Sequence, residues 1–242
     1  MSTNTTTTAL VTGANKGIGY EIAAGLARRG FRVGVGARDT ARREEAVDKL
    51  RAEGLDVFGV ALDVTDDASV AAAAARLEEL GGLDVLVNNA GITGGMPQEP
   101  SQVTAEQVLG VVDVNVLGVI RVTNAMLPLL RRAAAPRIVN VSSTVGSLGL
   151  QTAQAEPVGP LSGAYSPTKT YVNALTVQYA KELAPAGILV NAGCPGYVAT
   201  DLNGHRGTRT PEQGAAVFLE LATLPDGGPT GTFSDETGVL PW

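Results

Sequence analysis

The chain has 242 residues, enough for one large hydrophobic core, and we expect a single domain over residues 1–242. Its formal net charge of −6 and the lack of a basic stripe argue against nucleic acid as the main partner. One Cys and one His exclude an internal disulfide and are too few for a structural zinc site, so we expect no metal. The polar first eight residues, and the absence of any apolar run near the ~20 residues of a membrane helix, favour a cytoplasmic protein with no membrane contact.

Short apolar runs alternate with longer helical stretches along the chain. The predicted strands are 9–12, 31–36, 57–61, 84–87, 137–141, 188–192 and 231–233, and the predicted helices are 17–30, 40–54, 66–80, 104–130, 164–183 and 211–221. This alternation predicts an α/β fold: a doubly wound, Rossmann-type parallel sheet of about seven strands with helices on both faces. Two stretches after strands, 146–163 and the lid segment 202–210, are predicted loops at the carboxyl edge of the sheet, where ligands bind in such folds.

A glycine-rich turn follows the first strand and opens the first helix. It reads Thr12-Gly13-Ala14-Asn15-Lys16-Gly17-Ile18-Gly19. Glycines let the main chain turn tightly and approach a pyrophosphate, which the N-terminus of the following helix stabilises. The turn therefore predicts a dinucleotide site, with a tight turn that binds nothing as the alternative. The predicted cofactor-binding residues here are Gly13, Asn15, Lys16, Gly17, Ile18 and Gly19.

The end of the second strand indicates which nicotinamide cofactor is bound. An NAD site would place an acidic residue there to hold the ribose 2′-hydroxyl. This chain instead has Arg38, with Arg42 one helical turn further on and Lys16 in the glycine-rich turn. Three cations suit a 2′-phosphate, so we predict NADP(H) as the cofactor. Solvated surface charges are the alternative, most strongly for Arg42.

Three residues in the second half of the chain suggest catalysis. Tyr165 and Lys169 are four residues apart and share one face of a predicted helix. An ammonium group near a phenol lowers the phenol's pKa, so the pair could exchange a proton with a substrate oxygen. Ser143, just past the fifth strand, could hold a carbonyl oxygen that gains negative charge. The alternatives are an ordinary surface pair and a simple serine turn.

Other polar residues stand where a cofactor or a proton relay would need them. Asn115 lies in the middle of a helix, where it could hold a water leading to Lys169 or be a satisfied buried amide. Small residues in Asn88-Asn89-Ala90-Gly91 would admit a ribose and a diphosphate close to the main chain. Asp63, followed by Val64, could accept a hydrogen bond from the adenine amine, or could equally be the N-cap of the next helix.

Together with Pro195-Gly196-Tyr197-Val198-Ala199-Thr200, these motifs resemble the short-chain dehydrogenase/reductase family, in its single-domain branch, over essentially the whole chain. Within that family, Asn15-Lys16, Gly36-Ala37-Arg38-Asp39 and the segment from Thr210 to Trp242 look most like the NADPH-dependent carbonyl reductases.

The resemblance implies a role for each matched residue. Tyr165 would donate the proton, Lys169 would bind the nicotinamide ribose, Ser143 the substrate carbonyl, and Asn115 would belong to a proton relay. The resemblance extends the cofactor site to Asn89, Ala90, Gly91, Pro195, Gly196, Val198 and Thr200. Val198 and Thr200 would contact the nicotinamide carboxamide.

Two departures from the family pattern concern assembly and substrate. The spacing of 22 positions between Ser143 and Tyr165 is intermediate between the common short form and the monomeric carbonyl reductases, so monomer and homo-oligomer both stay open. The lid segment is short, and we expect it to contain His205, which could contact the substrate. Cys194, before it, is expected to be a small buried residue, with a place in the lining of the cofactor pocket as the alternative. The expected pocket is open and suits apolar or aromatic substrates, with lining residues Leu148, Leu150, Leu161, Tyr197 and Leu202.

The function predicted from the sequence is reduction of a ketone or aldehyde by NADPH, with Tyr165 as the general acid and a small-molecule carbonyl or alcohol as the partner. One alternative is a secondary-alcohol dehydrogenase that works mainly in the oxidative direction. Another is an NADP-sensing regulator without catalysis, although such proteins commonly lose the Tyr-Lys pair that this chain keeps.

Overall fold

Eight strands form one sheet in the computed structural model, which describes residues 6–95, 98–156 and 158–242. The strands are β1 (Thr8–Thr12), β2 (Arg32–Ala37), β3 (Val57–Ala61), β4 (Val85–Asn88), β5 (Arg137–Val141), β6 (Leu189–Gly193), β7 (Phe233–Asp235) and β8 (Gly238–Val239). Their order across the sheet is β3-β2-β1-β4-β5-β6-β7-β8, and only the β7–β8 pair is antiparallel. The predicted doubly wound parallel sheet is confirmed. The short, exposed β8 is the strand that the sequence did not indicate.

Helices cover both faces of this sheet. They are α1 (Gly17–Arg28), α2 (Thr40–Ala52), α3 (Asp67–Glu79), α4 (Ala105–Val112), α5 (Gly118–Leu130), α6 (Leu148–Ala153), α7 (Tyr165–Leu183) and α8 (Pro211–Ala222). In β1, Ala9 and Val11 point into a core shared with α1, α2 and α8, whereas Leu10 points into one shared with α3, α5 and α7. Because successive side chains of a strand alternate between faces, burial on both faces explains the continuous apolar run of this strand.

The predicted helix 104–130 is confirmed but not uniform. A π-helical segment, Asp113–Leu117, joins α4 to α5 in one helix of 26 residues. By length and composition alone, this helix is long and apolar enough to cross a membrane, so the expectation that no apolar run approaches that length is wrong. In the fold, α4 and the π-helical segment pack on α7, and α5 packs on α3 and β4. A helix that covers a sheet meets the same length and composition test.

The direction of winding reverses at β1, which lies between β2 and β4. At such a switch point, the carboxyl ends of the strands border a crevice that can hold a ligand. The glycine-rich turn, Asn88–Gly91, Ser143 and the loop 195–200 follow β1, β4, β5 and β6 at this edge. The stretch 146–163 is not a plain loop, because it contains the short helix α6.

Candidate active site

Asn89 holds the glycine-rich turn against the end of β4. Its side-chain amide donates to the carbonyl of Thr12 at 2.8 Å and to that of Gly13 at 3.2 Å. The hydroxyl of Thr12 accepts from the main-chain N–H groups of Asn89 and Ala90, both at 2.9 Å. A Cβ on Gly19 would lie 2.3 Å from the amide nitrogen of Asn89, so this close approach requires glycine. The turn is therefore shaped by the protein itself.

The turn fits a diphosphate. Lys16 is the N-cap residue of α1, but its side chain does not cap the helix, so it does not occupy the N–H groups of the first turn, which Gly17, Ile18 and Gly19 begin. These N–H groups and the helix dipole favour a bound anion. Gly17 has a φ of 59°, and a Cβ there would lie 3.4 Å from Thr200. The turn thus approaches Thr200 of the loop 195–200 closely at this edge of the sheet.

Two of the three predicted phosphate-binding cations line one cleft. Lys16 and Arg42 border a surface cleft of about 500 Å³ together with Asn15. The ammonium of Lys16 donates to Asp201 at 2.5 Å, and Nε of Arg42 lies 3.8 Å from a carboxylate oxygen of Asp39, the N-cap of α2. Arg38 is exposed at the end of β2, outside the residues that line this cleft. The proposed 2′-phosphate site therefore has two cations with carboxylate neighbours.

Asp63 is held by its own loop after β3. Its carboxylate accepts from the hydroxyl of Thr65 at 2.7 Å and from the N–H of Thr65 at 3.0 Å. These bonds, and to a smaller extent the nearby Arg38, hold the pKa of Asp63 below its usual value, so the carboxylate is ionised and can accept. Asp66 is the N-cap of α3, so the N-cap alternative for Asp63 is wrong. Val64 is buried and lies against Gly118.

Tyr165, Lys169 and Ser143 come together at the start of α7. The ammonium of Lys169 lies 5.7 Å from the centre of the Tyr165 ring and donates to the carbonyl of Val141 at 2.7 Å. Lys169 is only 5% exposed, which rejects the surface-pair alternative. Burial lowers the pKa of Lys169 to about 8. The hydroxyl of Ser143 lies near the phenol of Tyr165 and acts to lower its pKa, so a carbonyl oxygen could be held by both side chains.

The phenol of Tyr165 is a weaker acid than the sequence suggested. Burial raises its pKa above the usual value, the neighbouring Cys194 raises it further, and the nearby hydroxyl of Ser143 only partly offsets this. The expectation that Lys169 lowers this pKa is not met, because burial disfavours the charged phenolate more strongly. The hydroxyl therefore carries its proton at neutral pH, as a proton donor must.

Asn115 uses its side chain to join two parts of the site. The amide oxygen accepts from the N–H of Ile92 at 2.9 Å, and the amide nitrogen donates to the carbonyl of Ile92 at 2.9 Å and to the hydroxyl of Thr168 at 3.1 Å. The residue is 1% exposed. This is the satisfied buried amide that the sequence left as an alternative. It fixes the loop after β4 to the helix that carries Tyr165, and the water relay stays a prediction.

Gln98 and Ser162 position Tyr165, and the sequence analysis missed both. The side-chain oxygen of Gln98 accepts from the hydroxyl of Ser162 at 2.6 Å and from the N–H of Tyr165 at 3.2 Å, and its nitrogen donates to the carbonyl of Thr93 at 2.6 Å. The hydroxyl of Ser162 also accepts from the N–H of Tyr165 at 2.9 Å. Ala164, the N-cap residue of α7, has no side-chain acceptor to cap the helix. These two side chains therefore accept from the free N–H of Tyr165 in the first turn of α7.

Arg209 braces the loop 195–200. Its guanidinium forms a bidentate ion pair with Glu236 in the β7–β8 turn. Its carbonyl accepts from the N–H of Ala199 at 2.8 Å, and Val198 forms a parallel bridge with it. Gly196 has a φ of 74°, and a Cβ there would lie 2.7 Å from Cδ of Arg209. Arg209 thus fixes the predicted nicotinamide-contacting loop, and nothing in the local sequence indicated it.

The last residues of the chain hold α6, which follows Ser143. The carbonyl of Trp242 accepts from the N–H of Gly149 at 2.7 Å, and the carbonyl of Pro241 accepts from the hydroxyl of Ser147 at 2.7 Å. The Trp242 ring stacks on Phe233 of β7 with centroids 5.8 Å apart. We call these contacts the C-terminal clasp. It sets the position of α6 relative to the rest of the site.

The side chains expected around the substrate are mostly exposed near this edge. Cys194 is buried, as expected, and His205 in the lid segment bonds to Asp201 at 2.8 Å. Leu150 is half-buried. The exposed members of the predicted pocket are Leu148, Leu161, Tyr197 and Leu202. An apolar pocket at these residues stays a prediction.

Known proteins resemble this chain over most of its length. The family model described as short chain dehydrogenase matches residues 7–210. Carbonyl reductase [NADPH] 1 of Rattus norvegicus is 36% identical in an alignment of 275 positions, gaps included. The alignment covers 97% of this chain and 98% of the relative. A putative ketoacyl reductase of the monensin polyketide synthase from Streptomyces virginiae is 42% identical over 84% of this chain and 74% of its own. The solved structure of salutaridine reductase from Papaver somniferum is 32% identical, with a TM-score of 0.82, and covers 94% of this chain and 99% of that chain.

Proposed function

Since the chain belongs to the short-chain dehydrogenase family, we propose that it is an NADPH-dependent reductase that converts ketones or aldehydes to alcohols, with Tyr165 as the proton donor. The observation that carries this proposal is the group formed by Tyr165, Lys169 and Ser143 at the sheet edge that also carries the glycine-rich turn, with Lys169 buried and the other two half-buried. Relatives named carbonyl reductase [NADPH] 1 support the cofactor and the reaction class.

The proposed cofactor site combines the turn and the loop that faces it. Gly17, Ile18 and Gly19 would bind the diphosphate through their N–H groups. Lys16, Arg38 and Arg42 would bind the 2′-phosphate, and Asp63 would accept from the adenine amine. Thr200, in the loop that packs on the turn, would contact the nicotinamide carboxamide, as the family resemblance implies. Bound NADPH supplies the hydride.

The residues of this chain then handle the oxygen and the proton. Ser143 and Tyr165 hold the carbonyl oxygen, because their side chains are close neighbours. Tyr165 donates its proton to that oxygen as negative charge develops on it. The ammonium of Lys169, fixed by the carbonyl of Val141, stabilises the phenolate that remains. Asn115 would serve the return of the proton.

The proposed substrates are apolar or aromatic carbonyl compounds. Leu148, Leu161, Tyr197 and Leu202 expose apolar surface near the catalytic edge, and such surface disfavours sugars and charged oxo acids. A cytoplasmic location is part of the proposal, since the one thiol of the chain, Cys194, is free and buried, as suits a reducing compartment.

The test follows NADPH absorbance with a panel of ketones, aldehydes, sugars and oxo acids, in parallel with NADH. We expect turnover of apolar ketones with NADPH and little with NADH. Tyr165→Phe should lose turnover about a hundredfold or more and keep NADPH binding. Tyr171→Phe, which removes an exposed hydroxyl from the same helix, is the matched control and should change neither. Unchanged turnover in Tyr165→Phe would reject the role of the tyrosine, and tight binding without turnover of any substrate would favour an NADP-sensing regulator.

A further inference from the structure

One ion pair joins the two walls of the proposed cofactor crevice. Lys16 lies in the glycine-rich turn after β1, and Asp201 lies in the single-turn helix Asp201–Asn203, which leads into the lid segment. The ammonium of Lys16 and the carboxylate of Asp201 are 2.5 Å apart, although 185 positions separate them in the chain. Nothing else in the proposed function uses Asp201.

The carboxylate of Asp201 is held in place by its own segment. His205 bonds to its second oxygen at 2.8 Å. His205 has a φ of 60°, which a residue with a Cβ rarely adopts, so the segment bends tightly to bring this ring onto Asp201. Asn203 donates to the carbonyl of Val198 at 2.9 Å and fixes the same single turn to the loop below. Asp201 thus has a second partner within its own segment, whereas Lys16 reaches it from the other wall of the crevice.

The position of Lys16 matters because it is one of the cations proposed for the 2′-phosphate. Asp201 lines the same 500 Å³ cleft as Lys16 and Arg42. A lysine ammonium has three donors, but a carboxylate and a phosphate on one ammonium would repel each other. A 2′-phosphate in this cleft therefore needs Lys16 to move away from Asp201. A cofactor that carries only a 2′-hydroxyl makes no such demand.

We propose that Asp201 determines how strongly the site prefers NADPH over NADH, by competing with the 2′-phosphate for Lys16. The inference rests on the proposed function, since it assumes that Lys16 binds that phosphate. Both side chains are about half exposed, and exposed ion pairs are weak. The expected effect on the NADPH dissociation constant is therefore about two- to fivefold.

The test measures the dissociation constants of NADPH and NADH by nicotinamide fluorescence, without turnover. Asp201→Asn should tighten NADPH binding about two- to fivefold and leave NADH binding unchanged. In a Lys16→Ala background, Asp201→Asn should not change the dissociation constant of NADPH. Glu220→Gln, an exposed residue near the far end of α8, removes the same charge and serves as the control.

Three results would overturn the inference: equal tightening of both nucleotides, a gain that persists without Lys16, or weaker binding of both nucleotides by Asp201→Asn. The last result would mean that the ion pair clamps bound cofactor instead of competing with it. Failure of the underlying assumption looks different. If Lys16→Ala alone costs no NADPH affinity, Lys16 is not a phosphate ligand, and the proposed 2′-phosphate site fails together with the inference.

Discussion

The ammonium of Lys169 is bound to the main-chain carbonyl of Val141 at 2.7 Å, at the last residue of the strand that leads to Ser143. The burial of this ammonium sets the pH range of the proposed reaction. Burial lowers the pKa of Lys169 to about 8, so the ammonium is lost as the pH rises through that value.

We therefore expect kcat/KM for ketone reduction to fall as the pH rises through about 8, because the neutral amine cannot stabilise the phenolate of Tyr165. Lys169→Met should lose about a hundredfold or more in kcat/KM at neutral pH and should lack this fall. Lys181→Met, an exposed lysine on the same helix, should behave as the unaltered protein. A flat profile through pH 8 would contradict the assigned charge state.

Gly19 should tolerate no side chain. A Cβ there would lie 2.3 Å from the Asn89 side chain and 2.7 Å from the carbonyl of Gly13. Gly19→Ala should lower the free energy of unfolding by about 1–3 kcal/mol and weaken NADPH binding, because the turn must move. In Gly110→Ala the same methyl group enters open space inside α4, and we expect a gain of up to about 1 kcal/mol. Urea denaturation and NADPH titration of both variants show whether a loss comes from the clash at position 19 or from replacing any glycine with alanine.

Gln98 should affect catalysis through Tyr165. It is 4% exposed, and Gln98→Leu removes the acceptor of the Ser162 hydroxyl and one of the two acceptors of the Tyr165 N–H. We expect a loss of about 1–3 kcal/mol in the free energy of unfolding, and a lower kcat with NADPH affinity kept. The exposed Gln102 allows a matched Gln102→Leu control. If kcat and NADPH affinity fell together, Gln98 would support the whole edge of the sheet and not the catalytic helix alone.

The C-terminal clasp should affect the binding of the substrate more than the binding of the cofactor. Trp242→Ala removes the ring that stacks on Phe233, and aromatic stacking is worth about 0.5–1.5 kcal/mol beyond the buried area. We expect lower thermal stability and a higher KM for ketones, with the dissociation constant of NADPH unchanged. Trp242→Phe keeps a stacking ring and should restore most of both losses. Equal effects of Ala and Phe would show that the ring does not hold α6.

The sequence predicted the sheet well because its strands are buried on both faces and therefore carry unbroken apolar runs. It missed α6, none of whose residues is buried, so no apolar periodicity marks it. It also missed β8, a pair of exposed residues. The π-helical segment escaped prediction because a change of helical pitch has no residue signature of its own.

At the site, the sequence indicated residues that stand in motifs, and the structure brings Tyr165, Lys169 and Ser143 together. It could not indicate Gln98, which meets Ser162 from 64 positions away, or Asp201, which meets Lys16 from 185 positions away. Such contacts depend on the path of the chain between elements. The direction of the Tyr165 pKa shift was missed for a related reason, since burial depends on packing and not on spacing.

The π-helical segment around Asn115 has a consequence for how this site can change. The wider π-helical turn contains one more residue than an α-helical turn. It therefore determines how far α4 is rotated about the helix axis relative to α5. Deleting one residue there would leave the helix continuous but rotate α4, with its buried Val111, by about 100° around the axis. A single-residue length change would thus change the direction of the surface beside α7 without altering any side chain of the proposed active site.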